Sequence, residues 1–524
     1  MKNILLLILS ICACTEMVYG DVVWSTPASI STASVNASDP HVVIDTNGNA
    51  TAVWVENSVI QAGSLPFGGS WTTPTALSNI SNTASRPRLG VDSSGNVVAV
   101  WIENNVLESA VLPFGGSWGA EAAVSGSGVT DFTFDADASG NAVAVWIRSG
   151  NVEAALRKAG SWSLVSTLSS TASSSPNVKI SSNGQAVAVW YSTSSGNDVI
   201  VSDFLTISTN TWAATKNVTT PTTAFRFNYP KVTIDSNGNA TAAAFRYNFN
   251  ATTGGYYNVQ VVTSTLTTGS TAWGLGTLLS NAGIGNPANL TLKVRADVNG
   301  DVLAVWTNLY DGMTYSLESA NKVYGASWPI SILPQNPSLY SLGVDVAVSQ
   351  GSALMANMTW DGTNINIVSQ ETDTTDPIAQ GWTNMNQMSS GSDNAYPSCA
   401  INVTSSQLDA VAVWINYNGT NTSINASNGS DIVVVPPSGV SASQSSTNFG
   451  VYTDYFNTIT WTASTEPNII QYNLYRDGEF FGATDPGTLT FVDHNQVQSG
   501  AVTYGVSTLN ENFRQSAMIT FTLF

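Results

Sequence analysis

His41, Arg88, Lys179, Lys231, Lys293 and Arg295 share one phase of a recurring alternation whose other phase is apolar, as in Val42 and Ile44, Leu89 and Val91, or Val232 and Ile234. A strand sends alternate side chains to opposite faces, so all six basic groups point one way. In a chain with a formal net charge of -19, such a cluster reads as a seat for a carboxylate- or phosphate-bearing ligand, or more plainly as a solvated polar face. Tyrosine beside Asn, Asp and Arg recurs in FRFNYP (225–230), RYNFNATTGGYY (246–257) and NLYDGMTY (308–315). Rings supply stacking area and amides supply hydrogen bonds, which is the composition of a surface that binds sugar or protein. The candidate ligand-binding residues are therefore Arg88, Arg226, Tyr229, Lys231, Arg246, Tyr247, Tyr256, Tyr257, Lys293, Arg295, Tyr310 and Tyr315. With 246–257 read as one long loop, Arg226, Tyr229, Arg246, Tyr247, Tyr256 and Tyr257 are expected to converge above Lys231 and Lys293.

Groups suited to catalysis are sparse. The two histidines, His41 and His494, fall in different parts of the chain, which argues against a His-ligated metal site or a Ser-His-Asp arrangement. No phosphate-cradling glycine loop or nucleophile elbow occurs, and no cofactor is expected. The rival to binding is a glycoside hydrolase or lyase that uses carboxylates near the same face, drawn from Glu56, Glu103, Asp311 and Asp361.

The basic phase belongs to a repeat. DTNGNATAVWVEN (45–57), DSSGNVVAVWIEN (92–104), DASGNAVAVWIRS (137–149) and DVNGDVLAVWTN (297–308) are copies of one strand-turn-strand signature, and a period of this kind sets the architecture. The turn Asp is expected to hydrogen-bond its own loop, with Gly at a left-handed position; calcium ligation is the weaker reading, since each loop offers one carboxylate. The second strand is apolar at consecutive positions, so both of its faces must be buried. A second set of tryptophans, Trp71, Trp118, Trp162, Trp212, Trp273, Trp328 and Trp382, marks a fourth strand in each unit. Two units depart from the pattern: Ala244 stands where Trp is due, with Phe245 beside it, and Trp360 is displaced by two residues, leaving Met358 for the core.

Trp24 precedes the first complete unit like the fourth strand of a missing one, while the unit around Trp414 runs out after its third. Joining the two ends removes two exposed sheet edges. This resembles the strand-exchange closure of WD-repeat and sialidase-like β-propellers, and the resemblance implies an all-β fold with eight blades over 21–431, closed by the N-terminal strand. The turns lack the Asp-box sequence of sialidases, so no catalytic residues carry over.

After a Pro-rich joint (432–438) the period stops. From Pro436 to the end, NTITWTAS, IIQYNLYRDGEFFG, TFVDH and VTYGVSTLNENFRQS follow in an order similar to a fibronectin type III domain, which implies core roles for Trp461, Tyr472, Leu474 and Tyr504. Residues 1–20, with Lys2 before an apolar run and Gly20 at the end, read as a secretory signal peptide; lipid attachment at Cys14 is the rival. The expected product is a secreted or surface monomer with one remaining cysteine, Cys399. Its ligand is a glycan or a protein, anionic where the basic face takes part. The acidic balance argues against nucleic acid, and no segment is long and apolar enough to span a membrane.

Overall fold

The computed structural model describes residues 22–194, 196–310, 315–329, 333–335, 343–360, 363–373, 382, 385–389, 393–403, 408–430, 435–466, 468–498, 500–510, 516 and 518–523. The expected signal peptide and lipidation site lie outside them. The described residues divide into two units, 22–403 with 408–430, and 435–523. Both are built of antiparallel strands, and the one helical turn described is Pro287–Asn289. No helix among the described residues is long and apolar enough to cross a membrane.

Each repeat starts from its turn. Asp45 Oδ1 accepts the backbone N–H groups of Asn47 and Asn49, both at 2.8 Å, and Oδ2 accepts Asn49 Nδ2 at 2.9 Å. Asp92, Asp137 and Asp235 repeat the arrangement. The second carboxylate oxygen also reaches the next repeat. A Cβ on Gly95 would stand 2.9 Å from Asp45 Oδ2, and one on Gly140 would stand 3.0 Å from Asp92 Oδ2, at φ values of 81° and 79° that already favour glycine. These carboxylates are hairpin locks, and their oxygens are spent on the turn rather than on calcium.

From the turn, Ala50–Glu56 and its counterparts run as buried second strands, with Trp54, Trp101, Trp146, Trp190, Trp306 and Trp414 at 0% exposure. Ala244 and Met358 are buried in the two irregular repeats, and Trp360 is 40% exposed.

Among the described residues the first unit holds eight sheets of four or five strands, each open at its edges. Their innermost strands, Ala37–Ile44, Ala84–Val91, Val129–Ala136, Ser174–Ser181, Arg226–Ile234, Leu292–Ala296, Val344–Ser349 and Asp393–Val403, lie beside one another in chain order, and the last lies beside the first. In the last sheet the outer positions are taken by Val23–Trp24 and Ala28–Ser29, with Trp24 paired to Gly429 and Ala28 to Ala426. Trp24 also repeats a side-chain bond seen elsewhere. Trp162, Trp273 and Trp382 each donate their indole N–H to a serine on the third strand of the preceding sheet, Ser109, Ser202 and Ser319, at 2.8–3.0 Å. Trp24 donates in the same way to Ser369 at 2.7 Å.

The second unit packs a three-stranded sheet (Ser438–Asn448, Thr453–Thr462, Thr490–Gln496) with a four-stranded one (Glu479–Thr484, Ile469–Arg476, Val502–Asn510, Ile519–Leu523) around Trp461, Tyr472, Leu474 and Tyr504. The buried Tyr504 hydroxyl donates to Asp493 at 2.7 Å and accepts from Asn457 at 2.8 Å.

Val22 and Ile30 are almost fully buried and Trp24 half-buried, so deleting 22–36 strips apolar surface from the last sheet and uncovers the edge of Thr422–Ser430. We expect a loss of about 4–6 kcal/mol in stability, read from urea unfolding. An unchanged midpoint would show that the N-terminal strand is not structural.

Candidate functional site

All eight innermost strands line one cavity of about 840 Å³. One register position stands out. The residue paired with the position just before the second-strand Trp, or before Ala244 where that Trp is replaced, is His41, Arg88, Thr133, Asn177, Lys231, Lys293 or Ser398 in seven of the sheets, and all seven line the cavity. The residues next to them, such as Val42, Leu89, Val178 and Val232, are buried on the other face. Of the six basic groups that share a phase in the sequence, all line this cavity.

The expected concentration of positive charge is partly neutralised. Asp39, Asp131, Asp135 and Asp345 line the same cavity. Lys179 pairs with Asp135 at 2.7 Å, and Asp345 takes both Lys293 at 2.9 Å and Arg295 at 3.7 Å. Burial works against ionisation of Asp345, yet the charges of Lys293 and Arg295 hold its carboxyl well below the usual range, so it stays an anion. Arg86 pairs with Asp131 at 2.8 Å. Reading the repeats for basic residues alone missed these partners, although Asp135 stands two residues before Asp137 as Arg295 does before Asp297.

The rim of the cavity carries a second feature that sequence reading missed. Five innermost strands are bulged at an Xaa-Pro pair, with Asp39, Arg86, Ser175, Tyr229 and Tyr396 at φ values of 48°, 56°, 54°, 52° and 49°. Two residues there oppose one on the neighbouring strand, so the strand bends and the side chain is re-aimed. Proline has no N–H to leave unpaired in the bulge. Four of the five, Asp39, Ser175, Tyr229 and Tyr396, line the cavity. The left-handed backbone is unfavourable for these residues, and strain of that kind concentrates at functional sites. The readable signal was the recurrence of DPH, RPR, SPN, YPK and YPS at the head of the strand.

The tyrosines are placed differently from expectation. The segment read as a loop is mostly strand: Ala240–Asn250 and Gly255–Leu266 form a long hairpin, with Arg246 and Tyr247 on the first strand and Tyr256 and Tyr257 on the second. Strand alternation therefore separates Arg246 from Tyr247. Tyr247 packs on Tyr256 at 5.6 Å, Tyr256 on Phe249 at 5.0 Å, and Arg226 lies 5.8 Å over the Phe249 ring. Tyr229 joins Tyr247 and Tyr256 against the same core, so a track of rings runs from the cavity along the hairpin. Arg246 instead lies 4.2 Å over Phe225 and donates to Gln260, so the six side chains do not converge. Tyr257 is exposed opposite Asn248.

Tyr310 and Tyr315 are both engaged within their own sheet. The Tyr310 hydroxyl donates to Glu318, which also accepts the Trp306 indole, and Tyr315 packs against the core around Trp306. Glu56 and Glu103, candidates for a hydrolase, are buried and accept the indole N–H of Trp54 at 2.7 Å and of Trp101 at 2.9 Å. Asp311 and Asp361 lie outside the described residues. Cys399 is buried, and that burial raises its thiol pKa.

No protein-family model matches the chain, and no curated protein matches it. Among solved structures, a protein of unknown function from Dyadobacter fermentans is similar at 11% identity and a TM-score of 0.39, over 78% of this chain and 99% of its own. An ulvan lyase bound to GlcA(1-4)Rha3S is similar at 9% identity and a TM-score of 0.42, over 78% of this chain and 95% of its own. The lectin SapL1, in complex with α-methyl fucoside, is similar at 13% identity and a TM-score of 0.32, over 57% of this chain and 94% of its own. A sialidase, an arabinanase and a WD40 domain are also among the similar structures. At these identities and TM-scores they assign neither a family nor an activity to this chain.

Two predictions follow from the local geometry. Ser175→Gly relieves a left-handed conformation on a half-buried side chain, and we expect it to stabilise the protein by about 1 kcal/mol in denaturant unfolding. A loss of stability would mean the bulge is not strained. Cys399 should resist a thiol reagent until the protein unfolds, since a buried neutral thiol is a poor nucleophile; rapid labelling of the native protein would contradict its placement.

Proposed function

We propose that this protein is an exported, eight-bladed β-propeller followed by a fibronectin type III-like module, and that it binds an anionic glycan or acidic protein segment at the rim of its central cavity. The eight sheets support the blade count: their innermost strands neighbour one another in a ring, and Trp24 supplies the outer strand of the last. The three-plus-four strand sandwich with buried Trp461, Tyr472 and Tyr504 supports the second module. Export rests on the signal-like residues 1–20.

The observation that carries the functional reading is continuity. Tyr229 lines the cavity and also begins the ring track through Tyr256 to Phe249 and Arg226. A ligand lying on that track places aromatic stacking at one end and a wall of Arg88, Lys231, Lys293 and Arg295 at the other. The hydrolase reading loses Glu56 and Glu103 to their indole bonds, while the ring track and the basic wall support binding.

A glycan array probed with residues 21–524 identifies the ligand class. Tyr256→Ala should then weaken binding by about 1–2 kcal/mol, measured by calorimetry at a temperature where the variant is shown to be folded. Arg246→Ala should leave affinity unchanged, because its guanidinium faces Phe225 and Gln260. Full affinity in Tyr256→Ala, together with loss of binding when Tyr475 is changed, would move recognition to the C-terminal module.

A further inference from the structure

The register position that lines the cavity has a structural duty. On four innermost strands it accepts a backbone N–H from the adjacent strand of a neighbouring sheet. His41 Nδ1 accepts from Leu89 N–H at 3.3 Å, Thr133 Oγ1 from Val178 N–H at 3.3 Å, Asn177 Oδ1 from Val232 N–H at 2.9 Å, and Ser398 Oγ from Val42 N–H at 3.4 Å. Arginine and lysine have no acceptor, so Arg88, Lys231 and Lys293 cannot perform this duty at the same position. Lys293 is compensated by Asp345, and Arg88 donates to the Pro87 carbonyl at 2.7 Å. Among the described residues, Lys231 alone of the three has neither a hydrogen bond nor an ion pair. Lys231 is half-buried in the cavity wall beside the like charges of Lys293 and Arg295, and packing gives no reason for a cation there.

We propose that Lys231 is the seat of a single oxyanion, a carboxylate or sulfate, that enters the cavity from the Tyr229 rim and takes further donors from Arg88 and His41. This rests on the proposed binding function only for the identity of the molecule that carries the anion. Tyr229 and Lys231 flank Pro230 on one bulged strand, so a ring and a charge are presented together. Burial pushes His41 down to about 3, assisted by the charge of Arg88, so the imidazole is neutral at pH 7. With Nδ1 accepting from Leu89, the proton sits on Nε2, which is then a donor.

The charged and titratable groups around Lys231 from the other strands are Arg88, Asp131, Lys293 and Arg295. Burial and the like charges of Lys293 and Arg295 push Lys231 down to about 8, and Asp131 opposes them. The folded value therefore lies below the unfolded one of about 10.4. A charged Lys231 without a bound oxyanion lowers stability in full below pH 8, and stability recovers as pH rises from 8 towards 10.4. A bound oxyanion offsets the same penalty.

The test compares thermal unfolding of the full chain and of Lys231→Met at pH 7, in sodium sulfate and in sodium chloride of equal ionic strength, with sodium acetate as the carboxylate arm. Sulfate favours burial in any protein, so the variant reports that general effect. The expected result is a melting temperature raised by sulfate or acetate roughly 2 °C more in the wild type than in the variant. A response to sulfate alone or to acetate alone identifies the preferred oxyanion. Equal shifts in both proteins overturn the seat, and leave the Tyr256 experiment to decide the binding function separately. A Lys231-dependent shift alongside unaltered affinity of Lys231→Met for the array ligand keeps the seat and overturns its assignment to that ligand. Should Lys231→Met fail to fold, the wild type alone decides: its sulfate-over-chloride shift must fade between pH 8 and 10, and a pH-independent shift overturns the proposal.

Discussion

An indole N–H buried between two sheets must find an acceptor, and this requirement organises the first unit. Six second-strand tryptophans are fully buried, and an unpaired N–H at each would be destabilising by about 1–3 kcal/mol. Four of them recruit carboxylates that would otherwise have no place in an apolar wall: Glu56, Glu103, Glu153 and Glu318. Trp414 uses the amide of Asn394 instead, and Trp190 Nε1 has no acceptor among the described residues. The buried acids that look like catalytic candidates in the sequence are therefore part of the packing. Glu318 shows how far this extends, since it also binds the hydroxyl of Tyr310 and so withdraws a second expected site residue.

The outer tryptophans solve a different problem. A short fourth strand has little surface with which to hold its sheet against the preceding one. An indole donating to a serine of that neighbour fixes the pair at a single point, and Trp24 does so from the opposite end of the chain. On the inner side the same continuity is maintained by the side chain that accepts a backbone N–H from the next strand, including Ser398 across the join to Val42. Neighbouring repeats are thus tied in two places where the residues allow it, by an inner acceptor and by an outer indole.

Features that depend on one repeat at a time were legible. The Asp-Gly-Asn turns, the double-faced second strands and the terminal strand around Trp24 are each local patterns with one physical solution. The facing of the six basic groups followed from alternation alone. Legibility ended where two repeats meet. That Lys293 and Arg295 share Asp345 depends on which side chains two neighbouring sheets bring together across the cavity. Polarity also misled the reading of 246–257, because a long hairpin with exposed Tyr and Asn has the composition of a loop. Once it is strand, Arg246 and Tyr247 must face opposite ways.

The same contrast explains where function can enter such a fold. The outward face of each innermost strand is committed to packing, so Val42, Leu89, Val178 and Val232 differ little in character. The cavity face is committed only to offering an acceptor, a duty that His, Thr, Asn and Ser discharge equally well. A donor-only side chain at that position gives up the bond and adds a charge, which selection for stability would remove. Lys231 persists beside a strained Tyr229 and at the start of the one hairpin whose rings extend outward from the cavity. A donor-only cation and an extended hairpin coincide on a single strand pair, beside a left-handed bulge that four other innermost strands share. Packing accounts for neither the cation nor the extension, which is why the proposed oxyanion seat is placed on this strand pair.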